Sequence, residues 1–219
     1  MVVLSRLYTR TGDGGETRLS DMSVTRKTDA RVQAYGDVDE ANAHIGVTLA
    51  TPGLPEEVAE PLRLIQNELF DLGADLSTPL AADPEFPPLR IEQPSVDRLE
   101  AWCDKFSEGL PTLRSFILPG GAPAAAQLHL VRTVTRRAER SAWVAAEAYG
   151  FEAATAEQPG GVNRIAITYL NRLSDLVFAM IRFVNGTEGD ILWIPGGERN
   201  PIHPQHDDTG TAAEPTEEN

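Results

Sequence analysis

Apolar residues recur at three- and four-residue steps through most of this chain, and five stretches carry the pattern far enough to predict helices. Tyr35, Val38, Asn42, Ile45 and Leu49 mark one face of a helix over about 29–50, with Thr28 or Asp29 as its N-cap. Leu62, Ile65, Leu69, Leu72 and Leu76 mark a second, opened after Pro55 and closed before Pro79. Prolines at 79, 84, 87, 88 and 94 make the next connection a loop, after which Ser95 is the expected cap of a helix running to about Glu108. Pro119-Gly120-Gly121 breaks the chain again, and Leu128, Val131, Thr135, Ala138 and Ala142 then line a long helix to about Tyr149. Leu170, Leu173, Val177, Met180 and Val184 belong to a fifth. No sustained alternating run with hairpin chemistry occurs, so a sheet is not predicted. Five amphipathic helices with connections of modest length predict an all-α, up-and-down bundle.

The flanks differ from this core. Residues 1–27 are rich in Gly, Thr, Ser and Asp and read as a loop segment, ordered by itself or by a ligand. After Trp193, Ile194-Pro195-Gly196-Gly197 leads into a polar, acidic end expected to be disordered. The organisation is therefore one helical domain over 1–193 and a tail over 194–219. A hydrophobic content of 41% suffices for a core without covalent staples. The net charge of −14 argues against nonspecific nucleic-acid binding, which needs a basic surface. Half of that charge lies from residue 187 onward, where eight acids face Arg199 alone, so the helical part retains room for a cationic pocket. The lone Cys103 shares helical spacing with Leu99, Trp102 and Phe106 and reads as a buried thiol in a reducing compartment. With neither a charged leader before an apolar stretch nor a membrane-length apolar run, the expected location is the cytoplasm.

Three segments carry candidate chemistry. In Tyr8-Thr9-Arg10-Thr11-Gly12-Asp13-Gly14-Gly15-Glu16-Thr17, three glycines within four residues let successive N–H groups point one way, while the threonines add hydroxyls and Arg10 a cation. That suits a phosphate, although Gly-Asp-Gly is also ordinary turn material and the spacing is not that of a P-loop. Arg132, Arg136 and Arg140 recur every four residues, with Arg137 and Glu139 between them, so three guanidinium groups fall on one helical stripe. Such a stripe is either a polyanion site or a solvated face laced to acids on neighbouring helices. Asn171, Asp175, Phe178 and Arg182 form a polar seam on the fifth helix, for which interhelix hydrogen bonding is the simpler reading. His44, His129, His203 and His206 are too scattered to suggest a metal site, and no protein metal ligand is predicted.

In order and together, these segments resemble the PduO-type ATP:cob(I)alamin adenosyltransferases. The matching pieces are Tyr8 to Thr17, Lys27, Arg31, Ala34-Tyr-Gly-Asp-Val-Asp-Glu-Ala-Asn42, Phe116-Ile-Leu-Pro-Gly-Gly121, Arg136-Arg-Ala-Glu-Arg140 and Tyr169-Leu-Asn-Arg-Leu-Ser-Asp175. The resemblance implies a five-helix subunit that forms a homotrimer with ATP between subunits. It implies that Thr9, Arg10, Thr11, Gly12 and Thr17 hold the triphosphate with Lys27. Arg136, Arg137, Glu139 and Arg140, together with Asn171, would complete the nucleotide site. Asp39 would pair with Arg132 across the subunit boundary, and Phe116 would stand at the lower face of the cobalt. Gly14 departs from the family, which often has Lys there, and the stretch from Ala154 to Gly161 is longer than usual.

On that resemblance the reaction is attack by cobalt(I) on C5' of ATP, with triphosphate leaving as one unit and Mg2+ accompanying it. So strong a nucleophile needs no general base, which fits motifs built of cations and glycines. Arg136, Arg140, Phe116 and Asp39 are the residues expected to govern catalysis. A reductase and an adenosylcobalamin-dependent mutase are the implied partners. The competing readings are a corrinoid carrier and a noncatalytic helical module; the latter predicts no ATP binding.

Overall fold

The computed structural model describes Tyr8, residues 10–186 and residues 189–196. Thr9, the acidic tail past residue 196, and His203 and His206 lie outside the described residues. Among the described residues five helices form: α1 (Ala30–Leu49), α2 (Glu56–Leu76), α3 (Gln93–Ser107), α4 (Pro123–Tyr149) and α5 (Arg164–Asn185). Helix α4 packs against α1 and α5, α2 packs on α1 and also touches α5, and α3 docks on α5. The order of packing is therefore not the order of the chain, because the connections on either side of α3 are long enough to cross the bundle. Leu62, Ile65, Leu69, Leu72 and Leu76 are buried, as are Leu128, Val131, Ala138 and Ala142, so the periodic positions became the core.

Two local expectations are corrected. A short antiparallel hairpin precedes the bundle, with β1 (Glu16–Arg18) pairing β2 (Val24–Arg26) in the register Glu16↔Arg26, Thr17↔Thr25 and Arg18↔Val24. Strands of three residues are too short to show an alternating pattern. The turn between them is held by Asp21, whose Oδ1 accepts from the Ser23 backbone N–H and hydroxyl. Ser95 does not cap α3, which begins two residues earlier after Glu92. Its hydroxyl instead donates to Glu68 Oε1 of α2 at 2.9 Å, and the Tyr169 hydroxyl donates to Glu68 Oε2 at 2.8 Å. Burial first, and the adjacent Glu68 second, push the Tyr169 phenol well above its ordinary range.

Asp29 caps α1 as expected, accepting from the Arg31 N–H at 2.8 Å. Arg31 itself is buried. Its guanidinium donates to the Leu76 carbonyl at 2.9 Å and to Gly160 and Gly161 at 2.7 and 3.2 Å, while stacking 4.7 Å from the Tyr149 ring. The Leu76 carbonyl is one that α2 leaves without an intrahelical partner, so the cation meets the negative end of the helix dipole. Gly160 must be glycine, since a Cβ there would lie 1.9 Å from the Leu80 carbonyl oxygen. Arg31 thus fastens the start of α1, the end of α2 and the loop before α5 at one end of the bundle.

Candidate active site

Helix α4 is the spine of the site, and its 27 residues reach about 40 Å at 1.5 Å per residue. Arg132 is half-buried with its guanidinium 5.2 Å from the Phe178 ring, while Arg136 and Arg140 are exposed. Burial first, and the neighbouring Arg136 charge second, lower the Arg132 pKa. Arg140 Nη1 donates to the Arg136 carbonyl at 3.0 Å. Among the described residues none of these three arginines forms an ion pair. Arg137 behaves differently: it pairs with Glu40 of α1 and approaches Asp37 Oδ1 at 3.6 Å. Asp37 is also the acceptor for Ser141 Oγ at 2.5 Å. Lacing to neighbouring acids therefore describes Arg137, whereas Arg132 feels Asp175 only at longer range and Arg136 and Arg140 have no ion-pair partner among the described residues.

Helix α5 borders this stripe. Asn171 Nδ2 donates to Glu139 Oε1 at 3.2 Å, so the amide lies beside the arginines and an acid orients it. Asp175 of the same polar seam is taken up by Arg172, which also reaches Glu100.

The Gly-rich loop lies next to the hairpin. The Gly15 N–H donates to the Gly12 carbonyl at 3.2 Å, and the Lys27 N–H donates to the Gly15 carbonyl at 2.8 Å. A Cβ on Gly12 would stand 3.1 Å from Lys27 Nζ, so the ammonium lies over the loop backbone. Arg10 has a φ of 63° and a guanidinium 5.7 Å from the Tyr8 ring. Thr11 is exposed in the same turn, and Thr17 sits mid-strand opposite Thr25. Two residues past Lys27, Asp29 accepts from the Tyr149 hydroxyl at 2.5 Å, which ties this region to the C-terminal end of α4.

The matched residues and the bundle now agree with a family model described as cobalamin adenosyltransferase, which covers residues 7–184. The chain belongs to the cobalamin adenosyltransferase family. It is 56% identical to a corrinoid adenosyltransferase of Mycobacterium tuberculosis over 198 residues, 90% of this chain and 97% of that protein. A corrinoid adenosyltransferase of Bacillus subtilis is 40% identical over 188 residues, 84% of this chain and 89% of that one. Among solved structures, a phenylalanine-to-alanine variant of a PduO-type ATP:corrinoid adenosyltransferase from Lactobacillus reuteri, complexed with cobalamin and ATP, is similar with a TM-score of 0.74. It is 37% identical and covers 86% of this chain and 99% of its own. An arginine-to-lysine variant of that enzyme complexed with ATP matches with a TM-score of 0.73 at 35% identity, over 86% of this chain and 100% of its own.

The remaining residues of this adenosyltransferase-family chain fall elsewhere. Phe116 is 78% exposed beside the N-terminal end of α4, its ring edge-on to Trp193 at 6.1 Å. Core packing is thus not what holds it. Asp39 is exposed on α1, at a groove of about 520 Å³ shared with Arg18, Tyr35, Asn42, Phe70 and Ser77. Within one chain the structure brings Lys27 to Gly12 and Asn171 to Glu139. It leaves Phe116 and the Gly-rich loop near opposite ends of α4.

Sequence reasoning passed over Asp190 and treated Arg182 as one step of a seam. A cation in the last turn of a helix is ordinary dipole complementarity, so no signal in the sequence sets Arg182 apart.

Proposed function

We propose that this chain transfers the 5'-deoxyadenosyl group of ATP to the cobalt of cob(I)alamin, giving adenosylcobalamin and triphosphate. The observation that carries the reading is the arginine stripe: three guanidinium groups on one helix face that form no ion pair among the described residues, next to Arg137, which does. Like charges at four-residue spacing repel, and a bound polyphosphate supplies the compensation.

In this reading the cobalt(I) electron pair forms the Co–C5' bond while the C5'–O bond breaks and its electron pair leaves with triphosphate. The protein's task is alignment and stabilisation of the leaving charge. Arg136 and Arg140 take the triphosphate with Arg10, Lys27, the Thr9–Gly12 backbone and hydroxyls, and Thr17, and Arg132 borders them. Asn171, oriented by Glu139, borders the nucleotide. Arg137 contributes by holding α4 against α1. Mg2+ would enter with ATP and offset part of the triphosphate charge beside Lys27 and the arginines. Phe116 lies against the lower face of the corrin, where an aromatic ring denies cobalt an axial ligand and eases reduction to cobalt(I).

The separation of Phe116 from the loop along α4 supports a site assembled from two subunits, as does the exposure of Asp39 that would let it meet Arg132 of a neighbour. We take the assembly to be a cyclic trimer, in the cytoplasm, served by a reductase and a mutase. Mixing the protein with MgATP and chemically reduced cobalamin should yield triphosphate and adenosylcobalamin in equal amounts. Light scattering should show three subunits. Absence of ATP binding by calorimetry would sink the reading, and a fully active monomer would sink the interfacial site.

A further inference from the structure

Phe116 is exposed, yet its backbone is fixed. The Trp193 N–H donates to the Phe116 carbonyl at 2.7 Å, and the Leu118 N–H donates to the Ile191 carbonyl at 2.7 Å. The Ser115 hydroxyl donates to the Trp193 carbonyl at 2.7 Å, and Ile117 bridges Leu192. The ring is therefore aimed by a two-stranded strap. One strand leads into α4 and the other follows α5.

A single side chain grips both strands at their base. Arg182, in the last turn of α5, donates from Nε to Asp190 Oδ2 at 3.0 Å and from Nη2 to the Pro111 carbonyl at 2.6 Å. The Arg182 and Asp190 side chains are only 12% and 10% exposed, so water competes little for the pair. Asp190 directly precedes Ile191, which enters the pairing with Leu118. One turn further along α5, Asn185 Oδ1 accepts from the Ala122 N–H at 3.0 Å, securing the far end of the strap. A Cβ on Gly121 would fall 2.1 Å from Asn185 Oδ1, so the close approach needs glycine.

We propose that Arg182 is a positioning residue for Phe116, its guanidinium fork joining the Asp190 carboxylate to the Pro111 carbonyl so that the strap presents the ring in one place. The inference rests on the reading of Phe116 given above. It depends on fork geometry, because two donors on one rigid plane reach two acceptors, Asp190 next to one strand and the Pro111 carbonyl in the loop that leads into the other, whereas a lysine ammonium on a flexible stem keeps the charge without that span. Arg182 touches neither substrate in this assignment and acts through the backbone of residues 115–118.

The test uses the full chain with MgATP and cob(II)alamin, read by electron paramagnetic resonance as the four-coordinate cobalt(II) fraction. Phe116→Ala should abolish that signal. Arg182→Lys should lower it by roughly tenfold, the scale of a lost charge-assisted hydrogen bond, and leave the MgATP dissociation constant within about twofold. Transfer should be slow from cobalt(II) reduced on the protein and much less impaired with chemically prepared cobalt(I). In the double variant Arg182→Lys should add nothing to the slowing that Phe116→Ala causes in transfer from cobalt(II) reduced on the protein, since both act on one element. Asp190→Asn should repeat the Arg182→Lys pattern from the other side of the clamp, and it carries the test should the first variant fold poorly. A merely structural arginine would be rescued by lysine, so a wild-type signal in Arg182→Lys overturns the inference. An equal loss of ATP affinity, or a full additional defect on top of Phe116→Ala, does the same. Loss of the signal in Phe116→Ala with retention in both clamp variants refutes Arg182 alone. Retention in Phe116→Ala refutes the placement of Phe116 and the inference with it.

Discussion

Arg137 of α4 is paired with Glu40 of α1, and one position earlier Arg136 meets no acid among the described residues. Successive residues on a helix point about 100° apart, so neighbours in a basic run can serve different ends. One fastens two helices; the other is left to face a ligand.

Arg136→Ala and Arg140→Ala should therefore each lower adenosyl transfer by about tenfold to a hundredfold or more, the value of charge-assisted contacts to phosphate. Thermal unfolding should hardly move. Arg137→Ala should show the reverse balance, a smaller loss of transfer and a drop of roughly 2–4 °C in Tm, because a half-exposed pair is worth at most about 1 kcal/mol. Equal losses of transfer in all three variants would show that the distinction drawn from the ion pairs has no functional meaning.

Gly14 leaves the Gly-rich loop one cation short of what the family resemblance expects, and space is not the reason. A Cβ there would meet nothing within 4 Å. Gly14→Lys should strengthen MgATP binding by about twofold to fivefold, the range of an exposed charge contact. The gain should fade as salt is raised, since screening acts on exposed charges. Calorimetric titration at two ionic strengths decides the matter, and unchanged affinity at low salt would place residue 14 away from the phosphates.

Asp75 is fully buried and satisfies three elements at once. It accepts from Arg90 Nη1 at 2.5 Å, the Ile91 N–H at 2.8 Å and Asn163 Nδ2 at 2.7 Å. Asp75→Ala leaves the Ile91 N–H without its acceptor and takes the counter-charge from Arg90, which keeps only the Asp75, Thr78 and Pro79 carbonyls, so the expected cost is about 3–5 kcal/mol and a fall of roughly 10 °C in Tm. Chemical denaturation should report it as a shift in midpoint with little change in slope. A loss below about 1 kcal/mol would mean that water replaces the carboxylate.

Asp29 and Tyr149 set opposite ends of the pH range. Burial opposes ionisation of Asp29, but hydrogen bonds from Tyr149, the Arg31 N–H and Thr25 outweigh it and hold the carboxyl below its ordinary value. Burial first, then the bond to Asp29, push the Tyr149 phenol to about 12. A lowered carboxyl stabilises the fold above its unfolded pKa, and that contribution is lost as pH falls through the folded value. A raised phenol stabilises below its unfolded pKa and loses the contribution as pH rises towards about 12. The Tm difference between wild type and Asp29→Asn should thus shrink at acid pH, below the usual carboxylate range. For Tyr149→Phe it should shrink at alkaline pH, above the usual tyrosine range. Differences that stay constant across both windows would show that the pair is not linked to folding.

The helices were legible because burial of one face imposes its period on the sequence, and α1, α2 and α4 begin and end close to where prolines, glycines and caps placed them, while the apolar positions of the fifth stretch all fall inside α5. The Ser95 cap failed for a tertiary reason: Glu68 arrives from another helix and takes the hydroxyl. The hairpin was invisible because three-residue strands are specified by their turn and by docking near Ser77, to which Ser20 is bonded.

For the site, the sequence by itself determined the chemistry on offer: a glycine-rich loop, a lysine, and arginines at the spacing of one helix face. It could not divide those arginines into paired and unpaired, because pairing depends on acids such as Glu40 that lie about 100 residues away in the chain. Nor could it show that Arg182 meets Asp190 and Pro111, or that Phe116 is aimed by a strap and not by the core. Helical period is a local property, written in each segment by its own burial. Charge compensation and the aim of an exposed ring are set by which distant segments meet, and only the tertiary structure decides that.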